Sequence, residues 1–269
     1  MRYDPVKQVL GNIVRTKPFL RILFYKVLGL MFLREWYVKR ALRELLGDRD
    51  REFDVYDAGS GFGQYSYYMA RRFRHAHILA IDVKEEQIAD CRSFFNRLGL
   101  TSCTFAVEDL TAIGHEAKFD FILSVDVMEH IAEDVLVFRN FFRALKPGGV
   151  LFINTPSNLG GSDADSPDDA SFIEEHARNG YGEEEMRTKL SSVGFAVESI
   201  RYTYGPWGDR YWRIAIKIPM VLVNRSRLFF FLLPFYYLIA LPISLPMMVL
   251  DYTSENTRGT GLNVVARKK

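Results

Sequence analysis

Cysteine is scarce in this chain. Cys91 and Cys103 are the only two in 269 residues, and neither sits in a CxxC or other ligand spacing. That gives no disulfide framework and no cysteine-built zinc site, and it fits a reducing compartment, the cytoplasm. Met1 to Lys17 lacks the charged-then-apolar layout that ends in a small-residue cleavage site, so no secretory leader is expected and the start reads as mature protein. No internal repeat is present. A net charge of +2 says little by itself, but its distribution is uneven. Residues 1 to 50 hold eleven Lys/Arg against five Asp/Glu, whereas residues 155 to 185 hold nine acids and the single cation Arg178.

From Glu52 to Asn154 the pattern is strand then helix, repeated, which is the signature of a doubly wound α/β fold with a parallel sheet. Strands are expected at 53–58, 77–82, 103–107, 119–125 and 149–154. Helices fit 64–74, 85–98 and 130–145, the last with Phe138, Phe141, Phe142 and Leu145 at three- and four-residue spacing. Lys146-Pro147-Gly148-Gly149 stops that helix, because Pro147 cannot continue it and the glycines permit a turn. An irregular polar stretch over 157–180 follows and reads as an active-site loop. Beyond it come a helix at 182–192, a strand at 195–203 and a last strand at 261–267. Residues 1–50 form a basic helical cap, 51–204 the core, 205–250 an apolar insertion, and 251–269 return to the core.

Val55-Tyr56-Asp57-Ala58-Gly59-Ser60-Gly61-Phe62-Gly63 joins the first strand to the first core helix. Glycine there lets backbone approach a ligand closely. The spacing is GxGxG, not the GxGxxG of dinucleotide binders, and no hydride-transfer residues are evident, so a nicotinamide dehydrogenase is disfavoured. Asp82 ends the second strand, where a carboxylate can accept from both hydroxyls of a ribose. Glu108-Asp109-Leu110 follows the third strand, where a carboxylate and a backbone amide can read an adenine.

These segments, together with FDFILSVDVMEHI and LKPGGVLFINTP, resemble the successive motifs of class I S-adenosylmethionine (SAM)-dependent methyltransferases. The resemblance spans about 52–204 plus the final strand. It implies a Rossmann-like sheet, mostly parallel with an antiparallel last strand. It further implies that Asp57, Gly59, Ser60, Gly61 and Gly63 border the methionine part of SAM, that Asp82 and Val83 hold the ribose side, that Asp109 and Leu110 hold the adenine, and that Ser124 and Val125 line the donor pocket. The cluster Asp126, Glu129, His130 is similar to the acid-x-x-Glu-His ligands of a ubiquinone-pathway O-methyltransferase, with Asp in place of the first Glu. If a helix starts near Asp126, spacings of three and four put all three on one face, which would suit a divalent metal such as Mg. Without a metal, Glu129 and His130 remain the candidate catalytic pair, with His130 able to serve as general base for a phenolic or hydroxyl acceptor; the alternative is that the pair only shapes the pocket. His176 and Tyr181, before the helix at 182, occupy a place where relatives contact the acceptor.

Leu228 to Leu250 is a 23-residue run without charge, broken by Pro234, Pro242 and Pro246. It is long enough to span a bilayer, but a last strand that must rejoin the sheet argues against a single crossing, and three prolines interrupt helical hydrogen bonding. A surface hairpin or short helices dipping into one leaflet is the expected form, flanked by Arg213, Lys217, Arg225 and Arg227. In Phe19 to Leu46, apolar Leu20, Phe24, Val27, Leu28 and Met31 are interleaved with Arg21, Lys26 and Arg34, which reads as a basic amphipathic helix at a membrane surface. Packing of the two apolar segments on each other as a lid over the pocket is compatible with this. Such walls suit a lipophilic small-molecule acceptor. Nucleic acid is not expected, since the cations are mixed with Phe and Leu and no reading motif occurs. The other function class compatible with this pattern is a non-catalytic SAM-binding scaffold subunit of a membrane biosynthetic complex.

Overall fold

The structure is a computed structural model that describes residues 17–47, 51–160, 177–226 and 228–269. Among the described residues, two helices, α1 (Pro18–Met31) and α2 (Leu33–Leu46), precede the sheet and meet at the extended residue Phe32. The core then runs β1 (Phe53–Ala58), α3 (Gln64–Arg72), β2 (Ala76–Asp82), α4 (Glu85–Arg97), β3 (Cys103–Val107), β4 (Phe119–Val125), α5 (Asp134–Ala144), β5 (Leu145–Pro156), α6 (Glu183–Ser192), β6 (Phe195–Thr203) and, after an insertion, β7 (Gly261–Lys268). The sheet order is β3-β2-β1-β4-β5-β7-β6. The first five strands are parallel, and β7 is antiparallel to both neighbours.

Period-two alternation divides the core between the two faces of the sheet. Val55, Phe121 and Leu123 join one buried cluster with side chains of α1 to α4, while Tyr56, Ile122 and Leu151 join another with α5 and α6. Because five parallel strands all end at the same edge, the turns after β1, β2, β4 and β5 collect there, the position at which open α/β sheets bind ligands. Helix α5 starts at Asp134 rather than at 130. The residues before it form a 3-10 turn, Met128–His130.

The insertion is a helical hairpin. Its first arm comprises α7 (Pro206–Trp212), a π-turn (Arg213–Lys217) and α8 (Ile218–Arg225); its second is one continuous helix, α9 (Phe229–Thr253). Breaks at the three prolines were expected, yet α9 runs through all of them. Each proline removes one intrahelical bond, while the arms are cross-braced by Tyr236 and Tyr237, whose hydroxyls donate to the carbonyl oxygens of Ile214 and Ala215, the latter at 2.9 Å. Ala240, Ser244, Met248 and Asp251, at helical spacing, are buried at the base of α9. The distal part is bare: Phe231, Phe235, Leu238 and Ile239 are 66–73% exposed.

The N-terminal helices differ from the amphipathic reading in which side points out. Arg21 is buried and Arg34 pairs with Asp126, so neither cation faces a membrane. The solvent side of α1 carries Phe19, Leu23, Lys26, Val27 and Leu30 instead. Hairpin and cap are joined by Asp251, which accepts from the Gly208 amide at 2.8 Å and from the Tyr37 hydroxyl of α2. Replacing Asp251 with Ala strands two buried donors and should cost about 3 kcal/mol of stability; the denaturation midpoint measures it. Asp209→Ala, at the exposed pair with Arg213, should cost under about 0.5 kcal/mol in the same assay.

Candidate active site

The β1–α3 turn is built from left-handed glycines. Gly59, Gly61 and Gly63 have φ of 85°, 51° and 72°, where a Cβ is strained. At Gly59 a Cβ would lie 2.3 Å from a methyl of Val127, so glycine is also required for the turn to pack against the chain after β4. The Gly59 and Ser60 amides donate to the Ile81 carbonyl at 3.0 and 2.7 Å, which fixes the turn against the end of β2. Asp82 accepts from the Gly61 amide through one oxygen and from the Lys84 amide through the other, both at 3.0 Å. Each oxygen keeps a second lone-pair direction for a ribose hydroxyl. Val83 beside it is exposed. Asp57, at the end of β1, is buried and accepts from the Ser66 hydroxyl of α3, which ties the turn to the helix that follows it.

On the neighbouring turn, Asp109 is exposed and uses one carboxylate oxygen to hold the amide and hydroxyl of Thr111, at 2.9 and 2.8 Å. Leu110 is buried in the core. Glu108 is engaged by Tyr56 at 2.7 Å and by His115 at 3.0 Å, which leaves Asp109 as the available acid there. At the end of β4, Ser124 is buried and Val125 half-buried. The buried hydroxyls Ser60 Oγ and Ser124 Oγ have no protein partner, and a Cβ built on Gly61 meets nothing within 4 Å. Unsatisfied buried hydroxyls cost free energy unless a ligand satisfies them, and open space beside Gly61 admits one. The residues present fit SAM.

The metal expectation fails on backbone geometry. Asp126 has φ 52° and is followed by the 3-10 turn, not by an α-helix, so Asp126, Glu129 and His130 do not share a helical face. Among the described residues no three His, Cys, Asp or Glu side chains form a metal-holding group. Asp126 instead pairs with Arg34 of α2. Glu129 is buried and accepts from Thr155 Oγ1 of β5 at 3.1 Å, and His130 is exposed. Burial pushes the Glu129 carboxyl above its usual range, against the opposing pull of its own backbone, His130, Thr155 and Arg34.

Tyr181 is also a correction. Its side chain is fully buried, and its hydroxyl lies 2.9 Å from Asp134 and 3.1 Å from the Met128 carbonyl, so it packs under the 128–130 turn instead of facing open space. His176 lies outside the described residues. Arg34 was missed as a site residue. Its guanidinium reaches the end of β4 from the cap and its Nε is buried without a partner, while in the sequence it was one of several cations in a charged helix with nothing to set it apart.

Burial raises the Asp57 carboxyl from 3.8 to about 6, with Asp82 adding to the rise and the Ser66 hydrogen bond opposing it. A folded-state value above the unfolded one means that protonated Asp57 favours the fold. Its contribution is full below about pH 4 and lost as pH rises through about 6. Asp57→Asn should therefore be more stable than wild type at pH 8, by up to about 3 kcal/mol, with the gain shrinking toward pH 4. Thermal melts of the ligand-free pair across that range measure the difference.

Residues 49–197 match the family described as the methyltransferase domain, more than half of the chain. A phosphoethanolamine N-methyltransferase 1 from Triticum aestivum is 33% identical over 52% of this chain and 28% of its own length. The chain thus spans little more than a quarter of that relative. A ubiquinone biosynthesis O-methyltransferase from Xanthomonas euvesicatoria is 29% identical over 65% of this chain and 73% of its own. Among solved structures, a sarcosine dimethylglycine methyltransferase from Galdieria sulphuraria, so described provisionally, superposes with a TM-score of 0.61 at 21% identity, covering 87% of this chain and 84% of that one. Phosphoethanolamine N-methyltransferase 2 from Haemonchus contortus, solved with SAM, gives 0.61 at 18% identity over 87% and 52%. At those identities the superpositions speak for the fold. The glycine turn, the strand-end acid and the matched family domain lead to one assignment: the chain belongs to the class I SAM-dependent methyltransferases.

Proposed function

We propose that the protein is a peripheral, monotopic enzyme of the cytoplasmic membrane face that transfers the SAM methyl group to a lipophilic small molecule, with an oxygen acceptor favoured over carbon. The observation that carries the reading is the distal hairpin. A helix of mean hydropathy 1.8, whose one charged residue, Asp251, is buried at its base, has 11% of its most apolar stretch buried and is otherwise left open to solvent, and soluble proteins avoid apolar patches of that extent. Its base is committed to the protein from Ala240 onward. The free part, Phe229 to Ile239, is about 16 Å long at 1.5 Å per residue, about half the hydrocarbon thickness of a bilayer. That length suits one leaflet. The Xanthomonas relative is a ubiquinone biosynthesis O-methyltransferase, in keeping with a greasy acceptor.

Bound SAM supplies a sulfonium methyl that transfers by in-line displacement, so most of the catalysis is positioning. In this reading Asp82 and Val83 take the ribose side, Asp109 and Leu110 the adenine, and Gly59 to Gly63 with Ser124 and Val125 the methionine side. Arg34 meets the methionine carboxylate. A hydroxyl acceptor must lose a proton, and two groups at the same sheet edge can take it. Glu129 is held by Thr155 with its proton affinity raised by burial; His130 is exposed next to it. Burial of the reaction against the leaflet would keep bulk water from the sulfonium.

Incubation with labelled SAM and a membrane lipid extract should label one lipophilic species; a non-catalytic scaffold would label none. Asp82→Ala should weaken SAM binding roughly 10- to 100-fold by calorimetry, the loss of charged hydrogen bonds to two hydroxyls. Unchanged affinity would remove Asp82 from the site. Replacing Phe230, Phe231 and Leu232 together with Ser should release the protein from anionic liposomes in flotation and lower activity on a membrane-borne acceptor, with SAM affinity unchanged. Wild-type protein that stays in the supernatant contradicts the membrane reading.

A further inference from the structure

The donor turn is held from outside by a cation that the methyltransferase motifs do not contain. Arg21 of α1 is 2% exposed. Its Nη2 donates to the Phe62 carbonyl at 2.7 Å and to Cys91 Sγ at 3.0 Å, its Nη1 to Asp90 Oδ2 of α4 at 2.7 Å, and its Nε to the Tyr25 hydroxyl at 2.7 Å. The Tyr25 hydroxyl in turn donates to the same Phe62 carbonyl. Cys91 Sγ contacts the Gly61 carbonyl at 3.4 Å. The guanidinium stacks over Phe94 with 4.5 Å between its centre and the ring. Two consecutive carbonyls of the glycine turn, Gly61 and Phe62, are therefore drawn toward α1 and α4, and both lie between the left-handed residues Gly61 and Gly63.

We infer that Arg21, with Tyr25, is a positioning residue for methyl transfer: it fixes the orientation of the Gly61–Phe62–Gly63 peptides and thereby presents the turn's opposite edge to SAM. The physical reason is the freedom of the turn. Glycine at two of its three central positions leaves the peptide planes able to rotate, and a rotated plane would turn carbonyl oxygens toward the ligand and break the bond from the Gly63 amide to the Ser60 carbonyl at 2.8 Å. A planar guanidinium whose remaining donors are satisfied by Asp90 and Tyr25 holds that plane in one orientation. Its charge is neutralised by Asp90, so the clamp does not place an uncompensated cation in the core. The same contacts make the cap helix part of the scaffold that holds the donor turn.

The inference rests on 59–63 being the SAM turn, and the experiment separates the two. SAM binding is measured by calorimetry on the full chain for wild type, Arg21→Ala, Arg21→Lys and Tyr25→Phe, each with its melting temperature. A generic packing change in the same cap, Leu42→Ala, buried in the core beside them, serves as control. The expected result is a Kd for SAM raised about tenfold or more in Arg21→Ala, a smaller rise in Arg21→Lys and Tyr25→Phe, and no change in Leu42→Ala at temperatures below all the melts. Methylguanidinium added to Arg21→Ala should restore much of the affinity, which a merely structural role would not show. Wild-type affinity in Arg21→Ala and Arg21→Lys overturns the positioning role. Loss in Leu42→Ala equal to that in Arg21→Ala, without methylguanidinium rescue, also overturns it. No SAM binding by folded wild-type protein overturns the donor-site reading itself.

Discussion

The pairing of Thr203 with Gly261 in the β6–β7 ladder constrains everything that lies between them. β7 must enter the slot between β5 and β6 to complete the sheet, so the insertion has to leave and return at a single point of the carboxyl edge. An apolar segment under that constraint can go out and come back, but it cannot cross a bilayer once. A hairpin is the form that satisfies both composition and register. Tyr204, the first residue out, has φ 54°, and its hydroxyl accepts from the Arg34 amide at 2.9 Å. The turn away from the sheet is thus tied to the cap at the residue whose guanidinium meets Asp126.

Those ties make one polar seam of three elements that a sequence reading separates. Tyr37 of α2, Gly208 of α7 and Asp251 of α9 meet in a fully buried cluster, and Arg40 adds a bond to the Tyr252 carbonyl at 2.8 Å. A buried carboxylate is tolerated only where donors surround it, so the seam fixes the hairpin's direction more sharply than apolar packing alone would. The apolar outer side of α1 and the bare hairpin are then presented by the same scaffold that holds the donor turn.

What was legible in the sequence and what was not follows a physical line. The strands 53–58, 103–107, 119–125 and 195–203 fall where expected because short apolar runs bounded by breakers have few alternatives. The donor turn was legible because three glycines and a strand-end acid encode backbone geometry directly. The helical face assumed for Asp126, Glu129 and His130 was not, since a left-handed residue without glycine leaves no mark in composition. Tyr181 could be placed before α6, but whether a tyrosine packs or contacts a ligand depends on Asp134, Arg178 and Lys189 converging from distant positions. Arg21 looked like a surface cation in an amphipathic helix. Its burial depends on Asp90 and a backbone carbonyl, neither of which any local pattern announces.

The donor edge is assembled at a cost to the ligand-free fold. Asp57 is buried and its carboxyl is pushed up by that burial, and Ser60 and Ser124 keep hydroxyls unsatisfied. Each of these works against stability in the absence of ligand. Opposing them are the contacts around the turn: Ser66 on Asp57, Ile81 on the Gly59 and Ser60 amides, and the Arg21–Tyr25 pair on Phe62. With these contacts made, a Cβ built on Gly61 still meets nothing within 4 Å, so the turn is braced and yet open to a ligand, whose binding relieves the unsatisfied groups that folding left. That arrangement lets one set of bonds serve the fold while another set waits for SAM.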